Sequence, residues 1–118
     1  PDAAYFAATQ VSRQRARDEA MEVLRAVVES ETAVETVKGQ ALSDITRIAL
    51  DMEREANIET LITSKGFEQC VAVVNGSNAN IIVKSDGLLP NEIAQINEIV
   101  YEQAGILPAN VKIIEKGT

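Results

Sequence analysis

The sequence predicts an α+β fold, with an N-terminal helix leading into a helix–strand–strand–helix–strand (αββαβ) domain built on a small three-stranded mixed sheet. Three observations carry that prediction. Two long stretches before residue 66 place apolar residues at helical spacing. Short β-branched runs separated by turn residues follow them. A third amphipathic stretch lies between the second and third of those runs, where parallel strands need a crossover.

The first helix covers residues 3–29. Its second half carries Ala20, Leu24 and Val27, with Met21 and Val28 alongside. Its first half is poorer, and between Ser12 and Glu19 the only apolar residue is Ala16. Such a segment gains little by folding onto a core, so it is expected to fray or to be held from outside the chain. Arg13, Arg15 and Arg17 form the one basic cluster. Asp18, Glu19 and Glu22 follow it closely, so the cluster reads as a solvated helix face.

Ser30-Glu31-Thr32 breaks the pattern, and Thr32 with Glu35 fits a capping box for a second helix from about 33 to 65. Its stripe is Val34, Val37, Ala41, Ile45, Ile48 and Met52, continuing through Ile58, Leu61 and Ile62. Gly39 costs about 1 kcal/mol relative to Ala and allows a break near residues 39–43. Lys65 suits the helix dipole and Gly66 the left-handed cap.

Residues 67–74 form the first strand, and Asn75-Gly76-Ser77-Asn78 is a hairpin signal before a second strand over 80–84. Asp86-Gly87 turns the chain and Pro90 opens a third helix, although Leu89 stands where a capping Ser or Thr is expected. Ile93, Ile96, Ile99, Val100 and Ala104 make its stripe, and Gly105 ends it with Ile106 as the apolar partner of the cap. Residues 110–115 form the third strand. The crossover leaves room for the first strand between the other two, which puts strands two and three at the sheet edges. The chain thus divides into a helical extension, 1–31, and an αββαβ domain, 32–118.

Composition narrows the function. The 118 residues are 46% hydrophobic, which fits a folded domain. The net charge of −7 opposes nucleic acid and anionic bilayers, both of which need a basic footprint. No Gly-x-x-Gly loop is present to clamp a nucleic-acid backbone. There is no His and a single cysteine, Cys70, inside an apolar run, so metal sites, cofactors and nucleophilic catalysis are not expected. The paired carboxylates Asp18-Glu19 and Glu53/Glu55 read as polar helix faces rather than a catalytic pair. The sequence contains no membrane-length apolar run, and starting at Pro1 without Met it reads as a piece of a longer protein.

The strands do point to partners. Cys70 and Val74 face one way, and Val71 and Val73 the other. Ile82 opposes Ile81 and Val83, and Ile113 opposes Ile114. A sheet apolar on both faces needs either the first helix folded over its second face or another protein there or along an edge. The residues expected to meet a partner are Val111, Lys112, Ile113 and Ile114, with the exposed faces of the first helix.

Specific residues also resemble a known family. Glu53-Arg54-Glu55 through Ile58-Glu59-Thr60-Leu61-Ile62 to Lys65-Gly66-Phe67 looks like the helix and strand entry of the stage III sporulation protein AH family of endospore-forming bacteria. Ile81-Ile82-Val83-Lys84, Ala94-Gln95-Ile96 with Ile99-Val100 and Gly105, and Val111-Lys112-Ile113-Ile114 resemble its later elements. The resemblance covers about residues 20–116. It implies a ring-building motif similar to those of type III secretion inner rings and flagellar basal-body rings, and no enzymatic activity. It also implies an upstream membrane anchor and a location outside the mother-cell cytoplasm, between the two membranes around the forespore. The implied partner is stage II sporulation protein Q, a forespore membrane protein with a peptidase-like domain, joined in a channel or zipper, with a homo-oligomeric ring as a further assembly. The alternative reading is a small ligand-binding regulatory α+β domain, which requires a defined polar pocket.

Overall fold

A computed structural model describes residues 2–117, leaving Pro1 and Thr118 outside it. Helix α1 (Asp2–Glu29) is followed by α2 (Glu35–Ser64), β1 (Cys70–Asn75), β2 (Asn78–Lys84), α3 (Pro90–Ala104), a 3-10 turn at Pro108–Asn110 and β3 (Val111–Lys116). The order is the one the periodicity predicts. The molecule measures 54 × 30 × 20 Å, elongated along its two long helices. At about 1.5 Å per residue, α2 alone runs roughly 45 Å.

The first half of the connection between α1 and α2 uses its hydroxyls differently from the expected capping box. Ser30 Oγ accepts from the N–H groups of Thr32 and Ala33, and Thr32 Oγ1 lies 3.2 Å from Ser30 Oγ. Helix α2 therefore starts at Glu35, behind Val34, which has no side-chain cap. Thr32 is spent on the turn and leaves the box unmade. Nor does Gly39 interrupt the helix, which is continuous to Ser64. At the start of α3, Leu89 offers no side-chain acceptor, but Glu92 Oε1 accepts its N–H at 2.8 Å, so half a capping box stands in for the missing Ser or Thr. Gly105 ends α3 in the left-handed region (φ 67°), and Ile106 behind it is buried.

The sheet departs from the expected order. Its strands run β1-β2-β3, with β1 antiparallel to β2 and β2 parallel to β3. The edges are β1 and β3, not β2 and β3. The hairpin keeps β1 beside β2 in either order; the difference is that β3 joins β2, because the free side of β1 is occupied by Glu55 and Glu59 of α2. Gly76 (φ 62°) and Ser77 form a two-residue loop, which forces Cys70–Asn75 directly alongside Asn78–Val83. Strand β2 then occupies the centre and β3 pairs with its free side.

Both faces of the sheet are apolar, and both are used. Cys70, Ala72, Val74, Ala79, Ile81 and Val83 pack beneath α2 and α3 with Ile58, Ile62, Ile96 and Val100. On the opposite face Val71 and Ile82 pack with Phe6 of α1, flanked by Val73 and Ile114. The N-terminal turns of α1 thus reach across the second face as far as β3, where Lys116 Nζ sits 4.7 Å from the Tyr5 ring centre. The helix expected to lack a core contact makes this one through a single aromatic, buried to 1% exposure.

Candidate docking surface

The two edges of the sheet have opposite fates, decided by charged side chains of α1 and α2. Asp51, Glu55 and Glu59 recur at four-residue spacing and so share one face of α2. That face lies along β1. Ala72 N–H donates to Glu59 Oε2 at 2.8 Å and Val74 N–H to Glu55 Oε2 at 2.7 Å. Gly76 N–H reaches Asp51 Oδ2 at 3.4 Å. Because β1 pairs with β2 through its other residues, these alternate N–H groups are the ones an edge strand leaves for a stranger. Arg13 Nη1 takes the remaining type of group by donating to the carbonyl of Ala72. The β1 edge is sealed.

Three carboxylates so close need cations, and α1 supplies two of them. Arg13 lies 3.2 Å from Glu55 and 2.8 Å from Glu59. Arg17 grips both oxygens of Glu55 in a fork. The Glu55 hydrogen bond, outweighing desolvation, holds the Arg17 pKa above its ordinary value. The basic cluster is therefore not simply a solvated face. Arg15 is exposed, whereas Arg13 and Arg17 turn inward and are half-buried. Glu55 is likewise not on a polar surface: its residue exposure is 1%, while Glu53 stays exposed. Sequence reasoning missed this network. The available signal was the match between acidic positions 51, 55 and 59 on α2 and basic positions 13 and 17 on α1, each set spaced by one helical turn.

The β3 edge carries no such cover. Lys116 C=O accepts from Ser85 N–H, which sets the parity of the parallel ladder. Lys112, Ile114 and Lys116 therefore direct their main-chain groups to β2, and Val111, Ile113 and Glu115 direct theirs outward. Among the described residues, no side chain hydrogen-bonds the main chain of Val111–Ile114. Val111 and Ile113 lean on the principal core and Ile114 on the Phe6 cluster, each half-buried, while Lys112 is exposed. The structure thus brings the four expected residues together along one open border.

Cys70 is buried, and desolvation, helped by Glu59, pushes its thiol up to about 12. Among the described residues no group of three or more Cys, Asp or Glu side chains is arranged to hold a metal ion. Two clefts flank α1. One, of about 720 Å³, runs between α1 and α2 past Met21, Ile45 and Met52. The other, of about 610 Å³, lies beside Tyr5, Arg47 and Val73. Both are open grooves; Arg17, which borders both, pairs with Glu55, and Arg47 in the second pairs with Asp51.

A three-stranded mixed sheet with α2 and α3 on one face and the N-terminal turns of α1 across the other defines a small α+β domain with a ring-building fold. Its fold matches the type III secretion protein EscJ of enteropathogenic E. coli, with a TM-score of 0.53 at 23% identity, over 60% of this chain and 49% of that one. The chain belongs to the SpoIIIAH-like protein family, whose model matches residues 1–113. It is 29% identical over 98 residues to stage III sporulation protein AH of Bacillus subtilis (strain 168), aligning over 83% of this chain and 45% of that protein, so it spans about half of that relative's length. It is also similar to a chain solved in the SpoIIQ–SpoIIIAH pore-forming complex, with a TM-score of 0.87 and 26% identity, over 97% of this chain and 98% of that one. No described helix is long and apolar enough to cross a membrane.

Proposed function

We propose that this domain is a non-enzymatic assembly module that binds SpoIIQ, the partner present in the similar solved complex, and that it receives this partner along β3 at Val111, Lys112, Ile113 and Ile114. The observation that carries the reading is the asymmetry of the sheet: the β1 edge is occupied by Glu55, Glu59 and Arg13, and the β3 edge is bare. Main-chain pairing along such an edge supplies affinity, and the alternating side chains supply selection. In this reading residues 1–31 are a brace rather than a second functional unit, and residues 32–118 hold the docking edge. The domain sits outside the mother-cell cytoplasm, the whole protein being anchored by a segment upstream, and the complex bridges mother cell and forespore as a channel or zipper. A ring of copies would have to be closed by helix faces, where Val11 and Val23 of α1 are exposed, because the sheet offers one edge only.

The test uses the outward N–H of Ile113. Ile113→Pro removes that donor without touching the ladder to β2. Binding to SpoIIQ from the same organism, followed by calorimetry, is expected to fall below detection while far-UV circular dichroism is retained. Undiminished binding would reject β3 as the docking edge. A mild side-chain change on the sealed strand, Val73→Thr, is expected to leave binding unchanged.

A further inference from the structure

The side chains beside the open edge differ in charge from the rest of the molecule. The chain carries −7 overall, yet the second face of the sheet presents Lys112 and Lys116 on β3, with Lys84 paired to Lys116 across the β2–β3 register. Lys84 is engaged by Glu68 at 2.8 Å and Lys116 lies over Tyr5, while Lys112 is exposed and forms no ion pair among the described residues. Between the two β3 lysines, on the same face, is Ile114, packed against the Phe6 cluster. On the other face the edge shows Val111, Ile113 and the exposed Glu115, whose carboxylate accepts from Leu88 N–H. A strand added here would meet cation, aliphatic and cation in turn on one side, and two aliphatic side chains followed by this already hydrogen-bonded carboxylate on the other.

From this spacing we infer that the partner segment seated on β3 is an acidic–aliphatic strand, with carboxylates at two positions four residues apart, opposite Lys112 and Lys116, and aliphatic residues between them. The inference rests on the reading of β3 as the docking edge. Opposite charges directly across a strand pair are favourable and like charges unfavourable. The pattern reads the same in both strand directions, since the two lysines flank Ile114 symmetrically. A second copy of this chain fits less well: antiparallel self-pairing centred on Ile114 sets Lys112 against Lys116 twice. Single-sign pairing at the contact also selects against partners with a basic edge.

The probes are two cyclic β-hairpin peptides with free-edge sequences Glu-Val-Ile-Val-Glu and Lys-Val-Ile-Val-Lys, titrated against the protein at low and high salt. The acidic hairpin is expected to bind about tenfold more tightly at low salt, a preference that shrinks as salt rises. The surface double variant K112E/K116E should reverse the preference, and I113P should remove binding of both peptides. Equal binding of the two peptides, lost in I113P, would overturn the charge inference while leaving β3 as the docking edge. Binding that survives I113P would overturn both. A concentration-dependent dimer in light scattering, dissolved by I113P but not by K112E/K116E, would assign the edge to a second copy and overturn the acidic partner.

Discussion

Glu55 shows how a single residue can be misjudged from its neighbours. In the sequence it stands between half-exposed Arg54 and exposed Ala56 on a charged helix, yet it is the most buried carboxylate described. A buried charge is tolerated only when paired and hydrogen-bonded, and Glu55 has both, through Arg17, Arg13 and the N–H of Val74. Removing one partner leaves the other stranded. Arg17→Met is expected to destabilise the fold by about 3 kcal/mol in urea denaturation. Adding Glu55→Gln should recover part of that loss, and simple additivity of the two changes would refute the coupling. Cys70 makes a second prediction at this scale. Its thiol is held neutral in the fold, with a pKa near 12, above its value in the unfolded chain. The stability it contributes is complete below the unfolded thiol pKa and declines as pH rises toward the folded one. Between pH 8 and pH 10 the protein should lose roughly 2 kcal/mol that a Cys70→Ala variant does not lose, as read from paired denaturation curves. The same burial predicts that thiol reagents label Cys70 only on unfolding.

At the scale of elements, local signals were reliable where a residue acts on its own backbone. The Asn75–Asn78 loop, Pro90 at the start of α3 and Gly105 at its end all do what their chemistry predicts. Signals failed where a side chain had a choice. Thr32 bonded within its turn instead of capping α2, and the missing cap at Leu89 was made good by Glu92 from within the helix. Helix α1 was the larger miss. The stripe of its second half, Ala20, Met21, Leu24, Val27 and Val28, is half-buried as expected, but a count of apolar residues misjudged the first half, whose contacts are one deeply inserted ring and two arginines. Phe6 therefore does much of the work of fastening α1 to the sheet. Phe6→Ala is expected to cost about 3 kcal/mol and to raise hydrogen exchange over the N-terminal half of α1. If exchange there is unchanged, the ring is not the fastening. Taking away residues 1–31 altogether would bare Val71 and Ile82 and leave Glu55 without Arg13 and Arg17, so residues 32–118 alone should be markedly less stable.

For the whole molecule, the sequence carried the element order and both apolar faces of each strand, because alternation within a strand is a property of the strand itself. It did not carry strand order, which depends on which side of the hairpin β3 joins. Nor did it show which border of the sheet would be free, since that turns on contacts between Arg13 and Glu59, 46 residues apart. The strand expected to meet a partner, β3, is an edge in either arrangement.

Closing one side of a three-stranded ribbon also fixes its valence. A unit able to accept one foreign strand and no more cannot propagate into a fibre through its backbone, however crowded its neighbours become. On the proposed docking along β3, carboxylates that look like ordinary surface charge would thus act as a chain terminator, leaving each copy one strand partner where confinement would otherwise favour runaway polymerisation.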